Sequence, residues 1–281
     1  MSINSRSPVS KGTLIRTVKS FLKRWDAYIL ALLFLIVVLL IWQSIVGPGK
    51  PVNPIILPQP TEIFKGIGYL LTSGFFAKHI GTTLWEIAAG FALSVALGFV
   101  LGTLVGMTTL ARRVLYPYII MFQAIPKVAF IPLFMIWFGF GASSKIAIAT
   151  TIAFFPVFVN TMVGMASSPE EGNRLMYSLG ASRLQRFWKF QFPSALPSII
   201  VGVNVALTFA VVGVIVAEFQ GAHLGLGYMI EVFSFQLRID RAFATVILLS
   251  VISFVLYYGL EKLGHRFVFW VNWKNKSRVR M

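Results

Sequence analysis

The chain has 281 residues, of which 57% carry apolar side chains and only 12% are charged, about half the charged share of an ordinary soluble domain. Lipid is therefore the expected main solvent. The formal net charge of +16 fits anionic lipid better than nucleic acid, because the Lys and Arg residues lie outside the apolar runs and form no soluble basic domain. The absence of cysteine excludes disulfides, thiolate catalysis and Cys-based zinc sites.

Six apolar runs are long enough to cross a bilayer, which takes roughly 20 residues of helix. The first run begins too late and is too long for a cleaved signal peptide, so it is expected to be a retained span. The predicted spans are residues 27–46, 83–105, 115–138, 146–165, 197–217 and 242–260.

The distribution of Lys and Arg predicts the orientation of these spans. Most of the 25 basic residues lie in the two tails, in the loop between spans two and three, and in the loop between spans four and five. The positive-inside rule then places both termini in the cytoplasm. The proline-rich stretch 47–79 becomes an external extended connection. The predicted external side holds Lys50, Lys65, Lys78, Lys145, Arg238 and Arg241.

Small residues at four-residue spacing mark two spans as packing helices, since close backbone approach drives helix association in lipid. Both spans are therefore expected to be central to the bundle. In the second span these residues are Gly90, Ser94, Gly98, Gly102 and Gly106, and in the fifth Gly202, Ala206, Ala210, Gly213 and Ala217.

The third span contains two prolines, Pro126 and Pro132, with Lys127 between them. The prolines remove amide donors and predict a broken helix, which is tolerated at membrane depth only inside protein or beside a wet cavity. A charge in mid-span is costly and favours a role for Lys127 in a pathway or gate over simple snorkelling to an interface.

Two acidic residues, Glu86 and Glu218, lie near the predicted outer ends of the second and fifth spans. A solvated or headgroup-facing position is one interpretation, and contact with a substrate or gate is the other. An ion pair between Lys127 and one of these glutamates is also possible on the sequence alone.

The loop between spans four and five, residues 167–193, carries the functional hypothesis. Ser168, Pro169, Glu170 and Glu171 predict a helix start, with Ser168 as N-cap, and Gly180 predicts its end. Residues 182–192 form an amphipathic stretch suited to the membrane surface. The loop is thus either an interfacial anchor or a small helix that docks into a cytoplasmic partner.

Several motifs occur together in order: LPQPT at 57–61, IPKVAFIPL at 125–133, LGAS at 179–182, FPSALP at 192–197, AEFQGA at 217–222 and GLG at 225–227. In this combination the chain resembles the permeases of binding-protein-dependent ABC importers, in the nitrate, sulfonate and taurine branch that includes thiamine-precursor-type members. The resemblance covers about residues 57–260.

This resemblance implies an all-α membrane protein of the bacterial inner membrane, with six spans in a type I importer permease bundle. It implies a cytoplasmic basic tail at 1–26, a transmembrane domain at 27–264 and a second basic tail at 265–281. Partners would be a cytoplasmic ATPase dimer, an external solute-binding protein, a second permease copy and membrane lipid, with no nucleic acid.

The resemblance also implies that ATP and magnesium bind the partner ATPase, because this chain has no G-x-x-x-x-G-K-[ST] phosphate loop. It assigns ATPase coupling to the loop. Arg174, Leu175 and Met176 stand where the family has Glu-Ala-Ala, so the acidic contact is expected to move to Glu170 or Glu171. The expected coupling residues are Glu170, Glu171, Arg174, Leu179, Gly180, Ala181, Ser182 and Arg183.

The expected pathway or gate residues are Lys127, Glu86, Glu218, Pro126 and Pro132. Glu86 stands where many sulfonate-type members have Arg, which leaves cationic or heterocyclic solutes open beside anions. A secondary transporter or channel is the main alternative function. A membrane enzyme using the three histidines is less favoured, because they are split between the predicted sides.

Overall fold

The computed structural model describes residues 29–74 and 76–270. The predicted tail 1–26, and the tail 265–281 beyond residue 270, lie outside these residues. All regular elements within them are helical. They are α1 (Ile29–Ile45), α2 (Pro60–Thr72), α3 (Phe76–Gly106), α4 (Thr109–Ala124), α5 (Ile131–Phe138), α6 (Ala142–Ala166), α7 (Glu170–Ser178), α8 (Arg183–Arg186), α9 (Phe192–Glu218), α10 (Leu226–Phe235) and α11 (Ile239–Phe267).

The chain divides into two compact units, one ending at Gly66 and the other beginning at Ile67. In the first unit the connection after α1 turns back on the end of that helix. Gln59 Nε2 donates to the Val46 carbonyl at 2.6 Å, and Thr61 N donates to Gln43 Oε1 at 3.2 Å. The prediction of an extended connection over 47–79 was therefore wrong, because α2 and the start of α3 occupy more than half of it.

In the second unit, α6 lies between α3 and α9. A Cβ at Gly98 of α3 would overlap Val157 of α6, and a Cβ at Gly213 of α9 would fall 2.9 Å from the Ala149 Cα of α6. These contacts confirm the predicted small-residue packing of the second and fifth spans. They also show that both helices pack on the fourth, whose backbone they can approach because they carry no bulk there.

Within the described residues, four helices are long and apolar enough to cross a membrane: α3, α6, the continuous run Arg183–Glu218, and α11. Helix α4 and the run Lys127–Phe138 bend by 76° against each other and together would make a fifth. The described part of α1 has 17 residues, Ile29–Ile45. The six-span count and the cytoplasmic termini remain predictions, whereas the break in the third span is confirmed.

Candidate functional site

A buried charge cluster joins the beginnings of α3 and α6. Glu86 and Lys145 form an ion pair of 2.7 Å between Oε1 and Nζ, and their side chains are 1% and 5% exposed. Lys145 also reaches the Leu224 carbonyl at 3.5 Å. Burying two charges is costly unless they are paired at good geometry, and this pair satisfies that condition.

Glu218, the last residue of α9, is the third member of the charge cluster and is fully buried. Its Oε1 accepts from the Thr83 hydroxyl at 2.7 Å, and its Oε2 accepts from the Gly227 amide at 2.6 Å. Thr83 Oγ1 in turn accepts from the Leu226 amide at 2.8 Å. Of the first two amides of α10, that of Gly227 therefore donates to the Glu218 carboxyl, and that of Leu226 donates to the hydroxyl that is bonded to the same carboxyl.

Two glycines near the start of α10 leave space for the Glu218 carboxyl. A Cβ at Gly225 would overlap the Glu218 carboxyl, and a Cβ at Gly227 would fall 2.8 Å from the Glu218 Cβ. Gly225 has φ +126°, in a region that favours glycine. The GLG motif at 225–227 thus fits closely around one side chain. His79 of α3 adds a contact from the other side, with its Nδ1 3.1 Å from the Gly225 amide nitrogen.

Of the two interpretations of Glu86 and Glu218, the solvated or headgroup-facing one is wrong, because both residues are fully buried. Lys145 was counted as an external loop charge, yet it is buried in α6. No ion pair joins Lys127 to either glutamate; Lys145 takes that place. Thr83, His79 and Lys145 were missed, although a lysine at the start of an apolar run was a usable signal.

Lys127 lies where the third span breaks. Helix α4 ends at Ala124, and a 3₁₀ turn, Lys127–Phe130, connects it to α5, which has Pro132 in its first turn. Pro126 precedes the 3₁₀ turn with extended backbone. Lys127 Nζ donates to the Gln123 carbonyl at 3.2 Å and lies 4.6 Å from the centre of the Phe155 ring. The break at the two prolines thus places the Lys127 ammonium between the end of α4 and the start of α5.

A cavity of about 360 Å³ opens beside this cation. Its polar groups are the lysine and two amides, and most of the remaining lining is apolar or aromatic. Such a mixture suits a small solute that has both a polar group and a flat or apolar part. The lining residues are Gln123, Lys127, Ile152, Phe155, Pro156, Val159, Asn160, Val205 and Phe209.

The loop 167–193 folds into helices, as expected, with one difference in its capping. Helix α7 begins at Glu170 without a side-chain cap, and Ser168 Oγ is buried without a partner, so Ser168 is not the N-cap. The helix end is confirmed: Gly180 has φ +76°, and the Ala181 and Gly180 amides donate to the Met176 and Tyr177 carbonyls. This double bond pattern is a Schellman motif.

The second half of the loop continues directly into α9. Ser182 caps α8 through a reciprocal pair of bonds with Gln185, and a π-helical turn, Phe187–Gln191, links α8 to α9. Helix α7 packs on this turn. Gly172 faces the Phe190 ring so closely that a Cβ would overlap it, and Gln191 Nε2 donates to Asn173 Oδ1 at 3.1 Å. Sequence reasoning missed these loop-holding residues.

The expected coupling residues of the loop lie together on α7, on α8 and on the turn between them. All except half-buried Ala181 are exposed. Glu170 forms an ion pair of 2.7 Å with Arg174, one turn along α7. Large apolar side chains are exposed on the same short helices and turns; they are Leu175, Tyr177, Leu179, Leu184 and Trp188. An exposed apolar surface of this kind is typical of a docking site or a membrane contact.

Comparison with known proteins places this geometry in context. Residues 94–268 match the family model described as the inner membrane component of binding-protein-dependent transport systems. The chain is 34% identical to the formylaminopyrimidine transport permease protein ThiX of Halalkalibacterium halodurans, over 85% of this chain and 94% of that protein. It is 31% identical to the taurine transport system permease protein TauC of Escherichia coli, over 84% and 87%.

A third relative is the putative aliphatic sulfonates transport permease protein SsuC of Bacillus subtilis, which is 32% identical over 84% of this chain and 85% of its own length. Among solved structures, a chain of the inward-facing MetNI methionine ABC transporter aligns with TM-score 0.54 and 17% identity, over 75% of this chain and 98% of that chain. An amino acid ABC transporter crystallised with histidines aligns with TM-score 0.56 and 17% identity, over 74% and 98%. At this identity the likeness to these two structures is one of fold.

Proposed function

Because the chain belongs to the family of binding-protein-dependent transport system inner membrane components, we propose that it passes a small solute, delivered by an external binding protein, across the membrane in an ATP-driven cycle. The family and the fold make it a multi-pass permease subunit of an ABC importer in the bacterial inner membrane. The solute, the partner chains and the working cycle are the proposed part.

The exposed loop carries this proposal. Helix α7 is short, ends in a Schellman motif and is held from behind by Phe190 and Gln191. Leu175 and Tyr177 of this helix and Leu179 at its C-cap are exposed. A small rigid helix with exposed apolar side chains fits a groove on a protein partner, and the partner proposed here is a cytoplasmic ATPase.

The proposed coupling contacts combine these apolar side chains with the charged residues of the loop. Glu170 and Glu171 supply the acidic contact that the family's Glu-Ala-Ala triplet would supply. Both glutamates are exposed, and Glu170 can exchange its pair with Arg174 for a partner cation, since an exposed pair of this kind contributes only about 0–1 kcal/mol. Two ATPases and two permease copies complete the proposed assembly, with ATP and magnesium on the ATPases.

The proposed pathway runs past the cavity beside Lys127. The lysine supplies positive charge, and Phe155 and Phe209 supply aromatic surface at the same cavity. These groups suit a small anion such as a sulfonate or nitrate, or a planar heterocycle. The names of the reported relatives span that range, from taurine to formylaminopyrimidine. In alternating access, movement of the loop would open this cavity to one side at a time.

The first experiment is a mild-detergent purification of the tagged full chain with identification of bound proteins. A stoichiometric ATPase is the expected result, and its loss from a Leu175→Asp/Leu179→Asp variant is expected because both side chains belong to the exposed loop surface. A matched Leu71→Asp control changes an exposed leucine of α2 and should leave the ATPase bound. A chain that purifies alone and moves solute in vesicles without ATP would instead favour a secondary transporter.

A further inference from the structure

The charge cluster holds two carboxyl groups and one ammonium. From α3 it is faced by Thr83, Glu86 and half-buried His79, whose ring also stacks on Tyr228 of α10 at 6.0 Å. Helix α6 contributes Lys145, and α9 contributes Glu218. The connection to α10 and the start of α10 face the cluster with the Leu224 carbonyl and with the Leu226 and Gly227 amides. With both glutamates ionised, the cluster would carry a net buried negative charge, which is strongly unfavourable.

The hydrogen bonds also indicate that the cluster has one negative charge too many if both glutamates are ionised. Glu86 Oε1 is satisfied by Lys145, but Glu86 Oε2 is buried and has no donor. Glu218 is bonded to Thr83, which lies one turn before Glu86 on α3, so the two carboxyl groups belong to the same buried cluster. Two ionised carboxylates are acceptors only and cannot bond to each other. One added proton between them gives Glu86 Oε2 its missing donor.

We propose that the charge cluster is a proton-binding site in which the Glu218 carboxyl carries one proton and donates it to Glu86 Oε2. The cluster is then neutral: Lys145 is positive, Glu86 negative and Glu218 uncharged. Glu218 carries the proton because its other partners, the Thr83 hydroxyl and the Gly227 amide, are neutral, whereas Glu86 contacts the ammonium directly. With this proton in place, Thr83, Glu86, Lys145 and Glu218 all keep their hydrogen bonds.

This proton has a consequence for conformational change, which rests on the proposed transport cycle. When this end of the bundle opens to water, the Glu218 carboxyl loses the surroundings that hold the proton and releases it to solvent. Closing takes the proton up again. Proton release on opening means that a higher pH favours the open state and a lower pH the closed state.

Infrared spectroscopy of the full chain in lipid nanodiscs tests the proton directly. We expect a carbonyl stretching band of a protonated carboxylic acid near neutral pH, shifted by ¹³C-labelled glutamate and absent in Glu218→Gln. The label assigns the band to glutamate in the unaltered chain, so the test stands even if the variant folds poorly. A spectrum without such a band, or a band that survives Glu218→Gln, overturns the proposal.

Glutamine substitutions give an independent test by thermal unfolding. Glu218→Gln keeps the ion pair, and Glu86→Gln leaves Glu218 able to ionise as the counter-ion of Lys145, so each single change should lower the unfolding midpoint slightly. The double variant leaves Lys145 without any counter-ion and should lower the midpoint by more than the two single changes together. A higher midpoint in both single variants would mean two ionised carboxylates. An unfolding midpoint that changes with sodium but not with choline would mean a bound metal cation. The proposal is overturned by this result, and equally by a higher midpoint in both single variants.

The consequence for opening has its own measurement. The chain contains no cysteine, so Ala222→Cys, in the buried connection to α10, is a clean reporter for a membrane-impermeant thiol reagent. Its labelling should rise with pH more steeply than in the Glu218→Gln background, which carries the same thiol. Equal pH dependence in both backgrounds, with the infrared band present, would overturn the opening step and leave the bound proton standing.

Discussion

Gly172 of α7 lies directly against the ring of Phe190, with no space between them for even a methyl group. The two residues hold the exposed helix of the loop on the π-helical turn that leads into α9. We expect Gly172→Val to displace the helix at an overpacking cost of about 1–3 kcal/mol and to reduce ATP-dependent uptake. The measurement is uptake in vesicles with the purified complex.

A second change tests whether this contact is the cause. Phe190→Leu removes the far end of the ring, so the double variant Gly172→Val/Phe190→Leu should recover part of the lost uptake. Uptake that stays as low as in Gly172→Val alone would show that the loss has another origin.

Gly180 ends α7 with φ +76°, which non-glycine residues other than asparagine rarely adopt. Gly180→Val should cost about 1–2 kcal/mol of local stability and weaken copurification of the ATPase. Gly180→Asn is the matched control, because asparagine tolerates this conformation, and it should retain the partner. Equal binding by both variants would contradict a requirement for the left-handed turn.

Lys127 is the one cation among the residues that line the cavity at the broken span. Lys127→Ala should reduce the uptake rate by about tenfold, which corresponds to about 1.4 kcal/mol of lost stabilisation. Lys127→Arg keeps the charge near Phe155 and should lose less. Copurification of the ATPase should be unchanged in both, and unchanged uptake in Lys127→Ala would reduce the lysine to a packing residue.

Lys145 is the counter-ion of a fully buried carboxylate. Lys145→Met should therefore destabilise the chain by about 3–5 kcal/mol, because breaking a buried pair leaves one charge without compensation. Adding Glu86→Gln removes that charge and should restore much of the unfolding midpoint. If Lys145→Met/Glu86→Gln unfolds as early as Lys145→Met, packing rather than charge is responsible.

The orientation of the chain can be tested by reporter fusions. The distribution of Lys and Arg predicts cytoplasmic positions for both termini, so a reporter active only in the cytoplasm should work at either end. A C-terminus found outside the membrane would contradict the six-span count.

Features that depend on neighbouring residues were predictable. Pro126 and Pro132 break the third span because each removes an amide donor locally, and Gly180 stops α7 through its own backbone freedom. Ser168 shows the limit of this reasoning, since its hydroxyl is buried and the first turn of α7 is left without a side-chain cap.

Features that depend on distant residues were not predictable. Glu86 and Lys145 are 59 positions apart, and Thr83 and Glu218 are 135 apart. Charge and hydropathy along the chain place each near a helix end, where solvent is the ordinary partner. Only the packing of α3 and α9 on α6 brings them together, and that packing is set by the small residues that let the three backbones meet.

The continuous helical run Arg183–Glu218 has one end in the exposed loop and the other in the charge cluster. Its 36 residues span about 54 Å at 1.5 Å per residue. A tilt of about 5° around its middle would move each end by roughly 2 Å, on the basis of that length. Hydrogen bonds of 2.6 and 2.7 Å at Glu218 do not survive such a displacement. This run therefore has the geometry of a lever arm: a small displacement of the loop at one end would break the Glu218 hydrogen bonds at the other end.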